Sequence, residues 1–136
     1  DPVVSFIDSD KPYERRNAPV QKRCYPQIKS LNIDTSSQPS VNIETIMAVI
    51  ETLIRAYRWQ IVEKTPQSIQ AVATTPLMRY KDDVVVEVNT LKDKKVLSID
   101  CRSKSRLGKS DLGANAKRIR QLFDDIITTT NIQPIN

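Results

Sequence analysis

Apolar positions recur at three- and four-residue steps over residues 43–57: Ile43, Ile46, Met47, Ile50, Leu53, Ile54 and Tyr57. That spacing paints one face of an α-helix. Asn42 stands where an N-cap would, and Glu51 and Arg55 are a favourable i,i+4 pair on the polar face. Beyond residue 58 the period changes to two. Alternation predicts strands over 59–64, 68–75, 83–90 and 96–103, with Pro66 and Pro76 as breaks and the polar run 91–95 as a turn. In the last of these Leu97, Ile99 and Cys101 share one face, and Ser98, Asp100 and Arg102 the other. The helical period returns at Asp111 or Leu112 and runs to Thr128, carried by Leu112, Ile119, Leu122, Phe123, Ile126 and Ile127. Thr128, Thr129 and Thr130 weaken it. The expected fold is α+β, in the order αββββα: a two-layer sandwich with a four-stranded antiparallel sheet covered on one face by two helices.

Residues 1–41 lack such a period. Pro2, Pro12, Pro19, Pro26 and Pro39 leave no room for a helix. They read as a long extended arm, with residues 42–130 as the α+β domain and 131–136 as a C-terminal tail. So long a structureless segment must wrap its own domain or lie on a partner. Val3, Val4, Phe6 and Ile7 make an apolar patch near its start with no evident destination in the chain, and are the candidate contacts for another protein.

Composition narrows the chemistry. The chain has 136 residues, 39% of them hydrophobic and 27% charged, which suits one globular domain. No apolar run approaches the ~20 residues that span a bilayer. The chain begins at Asp1 rather than Met, as expected of a processed or trimmed chain. There is no histidine, so Ser-His-Asp and Cys-His catalysis are excluded. Cys24 and Cys101 are too few ligands for a structural zinc. They could form one disulfide or stay as two buried thiols. No cofactor is expected.

Net charge is +5, and it is concentrated. Arg102, Lys104, Arg106, Lys109, Lys117, Arg118 and Arg120 face a single acid, Asp111. Such a stretch attracts nucleic acid, anionic lipid or acidic protein. Trp59, Tyr57 and Phe123 fall at core positions, which leaves no stacking platform and argues against nucleic acid. The chain's only glycines, Gly108 and Gly113, lie in the same stretch. Gly108, Lys109 and Ser110 are similar to the end of a P-loop, but Ser103 stands where the earlier glycine is needed. Two readings remain. In one, Arg106, Gly108, Lys109 and Ser110 surround a small anion at a helix N-terminus, and Arg102 and Lys104 help to carry its binding. In the other, which we favour, Arg102, Arg106 and Arg118 serve Asp82 and Asp83, just before the third predicted strand, and lock the loop to the sheet.

The run from Arg102 to Arg118, with Ser103, Ser105, Arg106, Gly108, Ser110, Asp111, Gly113 and Asn115, resembles the signature of the domain of unknown function 1499 family. Asp82-Asp83 is similar to that family's paired aspartates, Ser36-Ser37-Gln38 to its N-terminal Ser-Ser-Gln, and Cys24, Pro26 and Asn32 to its lead-in. The chain departs from the pattern at Asp34-Thr35, where a second cysteine is usual, at Tyr80-Lys81 and at Lys104. The family has no established activity. Its members include bacterial envelope proteins and plastid proteins, some of the thylakoid. The resemblance therefore implies a plastid chain, lumenal or thylakoid-associated, or alternatively a periplasmic one. The expected role is a non-catalytic accessory subunit docked on a larger, possibly photosynthetic, membrane complex. The alternative is a small-anion module or an enzyme without histidine.

Overall fold

The computed structural model describes residues 30–36, 38, 40–76, 79–91, 95–106, 112–132 and 134–135. The predicted elements are present, with one more strand than expected. They run β1 (Leu31–Asp34), α1 (Ile43–Ala56), β2 (Gln60–Thr65), β3 (Ser68–Thr74), β4 (Lys81–Leu91), β5 (Val96–Ser105) and α2 (Leu112–Thr130). The order is βαββββα and the sheet has five strands, antiparallel throughout, in the spatial order β1-β5-β4-β3-β2.

The extra strand lies in the segment read as arm. Leu31 pairs with Ile99 and Asp34 with Val96. Four residues are too few for a period to register, and the partner strand lies some 65 positions further on, so nothing local marks β1. From β1, at one edge of the sheet, α1 carries the chain to β2 at the other edge. The meander β2-β3-β4-β5 then returns to β1. The tail also rejoins this edge: Ile132 is buried in the core, Pro134 bridges Ile33, and the Ile135 amide donates to Asn32 O at 2.8 Å.

Both helices lie on one face. Helix α1 packs on β2, β3 and β4, and α2 packs on β5 and on α1. Ile46, Ile50 and Ile54 of α1 and Ile119, Leu122 and Ile126 of α2 meet Ile69, Val84, Val88, Leu97 and Ile99 of the sheet in a core closed to solvent. Each such side chain contributes about 2 kcal/mol by leaving water. Phe123 is buried with them, and Tyr57 and Trp59 pack at the margin with ring centroids 4.9 Å apart.

The ends of the helices are set locally. Asn42 Oδ1 accepts the Thr45 amide at 2.9 Å and Thr45 Oγ1 accepts the Asn42 amide at 2.9 Å, a reciprocal capping box. Arg58, just past α1, has φ 67°, and the Trp59 amide donates back to Ile54 O at 3.2 Å. An arginine thus holds a left-handed position where glycine is usual. Helix α2 runs through the three threonines to Thr130, two residues beyond the predicted end. Asn131, at φ 55°, closes it by donating to Ile127 O at 2.8 Å.

Candidate functional site

The two aspartates do not precede the strand; both lie in it, at the start of β4. Strand alternation then sends them to opposite faces. In the β4–β5 register Asp82 stands opposite Ser105, Asp83 opposite Lys104 and Val84 opposite Ser103. Asp82, Ser103 and Ser105 therefore share the helix-covered face with Val84, and Asp83 and Lys104 the other.

On the covered face α2 supplies Asn115 and Arg118, three residues apart and so on one side of the helix. Arg118 Nη1 lies 2.8 Å from Asp82 Oδ2. The same nitrogen donates to Asn115 Oδ1 at 2.8 Å and to Ser103 Oγ at 2.9 Å. Ser103 Oγ donates to Asn115 Oδ1 at 2.5 Å, and Asn115 Nδ2 reaches Ser105 Oγ at 3.4 Å. Ser103 and Asn115 are wholly buried, and the Arg118 and Asp82 side chains are only 15% and 5% exposed. A buried charge pair persists only when its partner and its remaining hydrogen bonds are in place, and here both are. Ala71 and Ala73 of β3 keep this end of the sheet small.

On the other face Arg106 grips Asp83. Its Nη2 lies 2.9 Å from Oδ1, and its Nε lies 3.0 Å from Oδ1 and 3.1 Å from Oδ2. The carboxylate holds the guanidinium proton more firmly than usual. This pair is wet, with side chains 47% and 34% exposed.

The structure thus brings together Asp82, Ser103, Ser105, Asn115 and Arg118 in one cluster, and Asp83 and Arg106 in another. It does not bring Arg102 to either aspartate. Arg102 is exposed on the outer face opposite Val85 and makes no ion pair among the described residues. Gly113 is the second residue of α2, inside the helix expected from Asp111 or Leu112. Gly108, Lys109, Ser110 and Asp111 lie outside the described residues, as do Val3, Val4, Phe6, Ile7 and Cys24.

Chemically the buried cluster is saturated. Ser103 Oγ gives its proton to an amide oxygen and receives one from a guanidinium, so no base is placed to activate it. Cys101 packs against the core from the same face, and burial pushes its thiol up to about 12, opposing its use as a nucleophile. Among the described residues no three Asp, Glu or Cys side chains gather as a metal site. A hollow of about 490 Å³ opens at the opposite end of the domain, lined by Thr35, Val41, Asn42, Thr90 and Leu97 and by none of the motif residues.

The model of one family, described as protein of unknown function (DUF1499), matches residues 4–126. The chain belongs to the DUF1499 family. No curated protein matches it significantly. The DUF1499 match spans both clusters, β1 and nearly all of the proline-rich arm, so the arm is family sequence rather than an appendage.

Sequence reasoning missed two polar contacts of this DUF1499 domain. The Tyr57 hydroxyl donates to the Asp125 carboxylate, and burial, together with this bond, pushes the phenol well above its usual range. Glu51 takes Lys64 as well as Arg55, at 2.6 and 2.9 Å, and these bonds lower its carboxyl. The Glu51–Arg55 spacing was readable; Tyr57–Asp125 and Glu51–Lys64 depend on packing between elements.

Proposed function

We propose that this protein is a non-catalytic accessory subunit that docks onto a larger membrane-associated assembly, with the thylakoid of a plastid as the favoured setting and the bacterial periplasm as the alternative. The observation that carries the reading is the mutual commitment of the signature side chains. Asp82 is held by Arg118, Asp83 by Arg106, and Ser103 by Asn115 and Arg118. The Asp82 cluster braces the end of the sheet against α2 and the Asp83–Arg106 pair ties β4 to the end of β5, so these residues are engaged with one another and not aimed at a substrate. The anion reading needs Arg106 free, and Arg106 is engaged with Asp83. Recognition is then assigned to the arm, through Val3, Val4, Phe6 and Ile7. No helix among the described residues is long and apolar enough to cross a membrane.

The test is the native mass of the assembly. The full chain, expressed in its source and released gently from membranes, should sediment with a complex much larger than its own 15.5 kDa. Replacing Val3, Val4, Phe6 and Ile7 together by serine should return it to the monomer. Wild-type chain found only as monomer would refute the proposal.

A further inference from the structure

Two arginines of the described chain hold positive φ: Arg58 at 67°, between α1 and β2, and Arg79 at 60°, between β3 and β4. A side chain at such angles costs backbone energy that glycine would not, and strain of this kind points to function. Both arginines fall at the same end of the sheet. Gln60, the first residue of β2, stands opposite Val72, near the end of β3. Thr74, the last residue of β3, stands opposite Lys81, the first of β4. Arg106 completes the row beside the end of β5, where its amide donates to Lys81 O at 3.0 Å. Cations thus cross four neighbouring strands, a row about 15 Å long at ~4.8 Å per strand.

The carboxylates of this end do not neutralise it. Asp82 is held by Arg118 and Asp83 by Arg106. Arg58, Arg79 and Lys81 make no ion pair among the described residues, and all three are exposed within the whole chain. Between Arg79 and Lys81 stands Tyr80, 44% exposed and the one exposed aromatic side chain among the described residues. Its backbone is pinned. The Tyr80 amide donates to Thr75 Oγ1 at 2.9 Å, the Thr75 amide to Tyr80 O at 2.8 Å and the Arg79 amide to Thr75 O at 3.1 Å.

We propose that this end of the sheet is a seat for an anionic lipid surface, with Arg58, Arg79 and Lys81 on headgroup phosphates and Tyr80 in the interfacial layer. Guanidinium groups bind phosphate oxygens through paired hydrogen bonds. Tyrosine suits the interface because its ring is apolar and its hydroxyl stays wet. A row of cations along a sheet end matches an extended charged plane, whereas the hollow of about 490 Å³ lies at the opposite end and is lined by none of them. The seat goes beyond the docking reading and does not rest on it: the chain can bind lipid without a protein assembly, and the reverse.

The test is flotation of the full chain with phosphatidylcholine vesicles, neutral or carrying about 30% phosphatidylglycerol, at ~0.05 M salt. The anionic vesicles should bind it about tenfold more tightly or better, and ~1 M salt, where the screening length is about 3 Å, should remove the difference. Each cation near an anionic surface changes partitioning about fivefold, so R58Q/R79Q/K81Q should weaken binding on the order of a hundredfold. A charge-matched control, K95Q/K117Q/R120Q, removes three exposed cations outside the row and should lose only about threefold. R58G/R79G separates binding from folding: glycine relieves both strained positions, so the melting temperature should hold or rise while binding falls about 25-fold. Equal affinity for neutral and anionic vesicles, equal losses in the two triple variants, or binding that survives R58G/R79G would overturn the proposal. So would tighter binding to soluble polyglutamate or an oligonucleotide than to the anionic vesicles.

Discussion

Asp82 and Asp83 are adjacent and chemically identical, yet their replacement by alanine should differ severalfold in effect. Asp82→Ala leaves the Arg118 guanidinium, 15% exposed, with Ser103 and Asn115 as its acceptors among the described residues. Breaking a buried pair from one side costs about 3–5 kcal/mol, since the surviving charge is stranded. That is a large share of the ~5–15 kcal/mol that holds a domain folded. Asp83→Ala releases Arg106 at 47% exposure into water, and a wet pair is worth about 0–1 kcal/mol. Equilibrium urea unfolding separates the two. With a slope of ~2 kcal/mol per M, Asp82→Ala should lower the midpoint by about 1.5–2.5 M and Asp83→Ala by about 0.5 M or less. The cycle of Asp82→Ala with Arg118→Ala should show strong coupling, about 2–3 kcal/mol, because the double variant removes both charges together. Equal midpoint shifts, or a larger shift for Asp83→Ala, would refute the assignment of the two carboxylates to opposite faces.

Three further outcomes concern Cys101 and Arg58. At pH 8 the Cys101 thiol, pushed up to about 12 by burial against an ordinary 9.0, should alkylate about a thousandfold more slowly than in urea, as peptide mapping would show. The folded state keeps this proton to a higher pH than the unfolded chain, so Cys101's contribution to stability is complete below 9.0 and declines as the pH rises toward 12; in Cys101→Ala that part of the alkaline decline should vanish. Arg58→Gly should raise stability by about 1 kcal/mol, and the melting temperature by about 3–5 °C, because φ 67° opposes a side chain and favours glycine; a fall in melting temperature would mean that the Arg58 side chain stabilises the fold.

Much of the candidate site was legible in advance as a set of residues. The concentration of arginines, the two glycines and the twin aspartates marked one region, and two of the three arginines meet the aspartates. What could not be read was which arginine meets which carboxylate. Beginning β4 at Asp83 hid the alternation that buries Asp82, since a charged residue at a strand's first position looks like the end of a turn. Arg102 was misplaced for the same reason: on β5 it faces away from Asp82 and lies two positions beyond the partner of Asp83.

The sequence by itself determined the two amphipathic helices, the four-stranded meander, the Asn42 cap and the exclusion of histidine chemistry, because periodicity and composition are local properties and each element reports its own apolar side. Only the tertiary structure decided that residues 31–34 complete the sheet, that the tail returns to them, that Glu87 faces Asp100, and that Arg118 makes Asp82 tolerable inside the core. These depend on registers and contacts between residues tens of positions apart. A strand of four residues, or a carboxylate whose cation lies on another element, leaves no local pattern from which its place can be read.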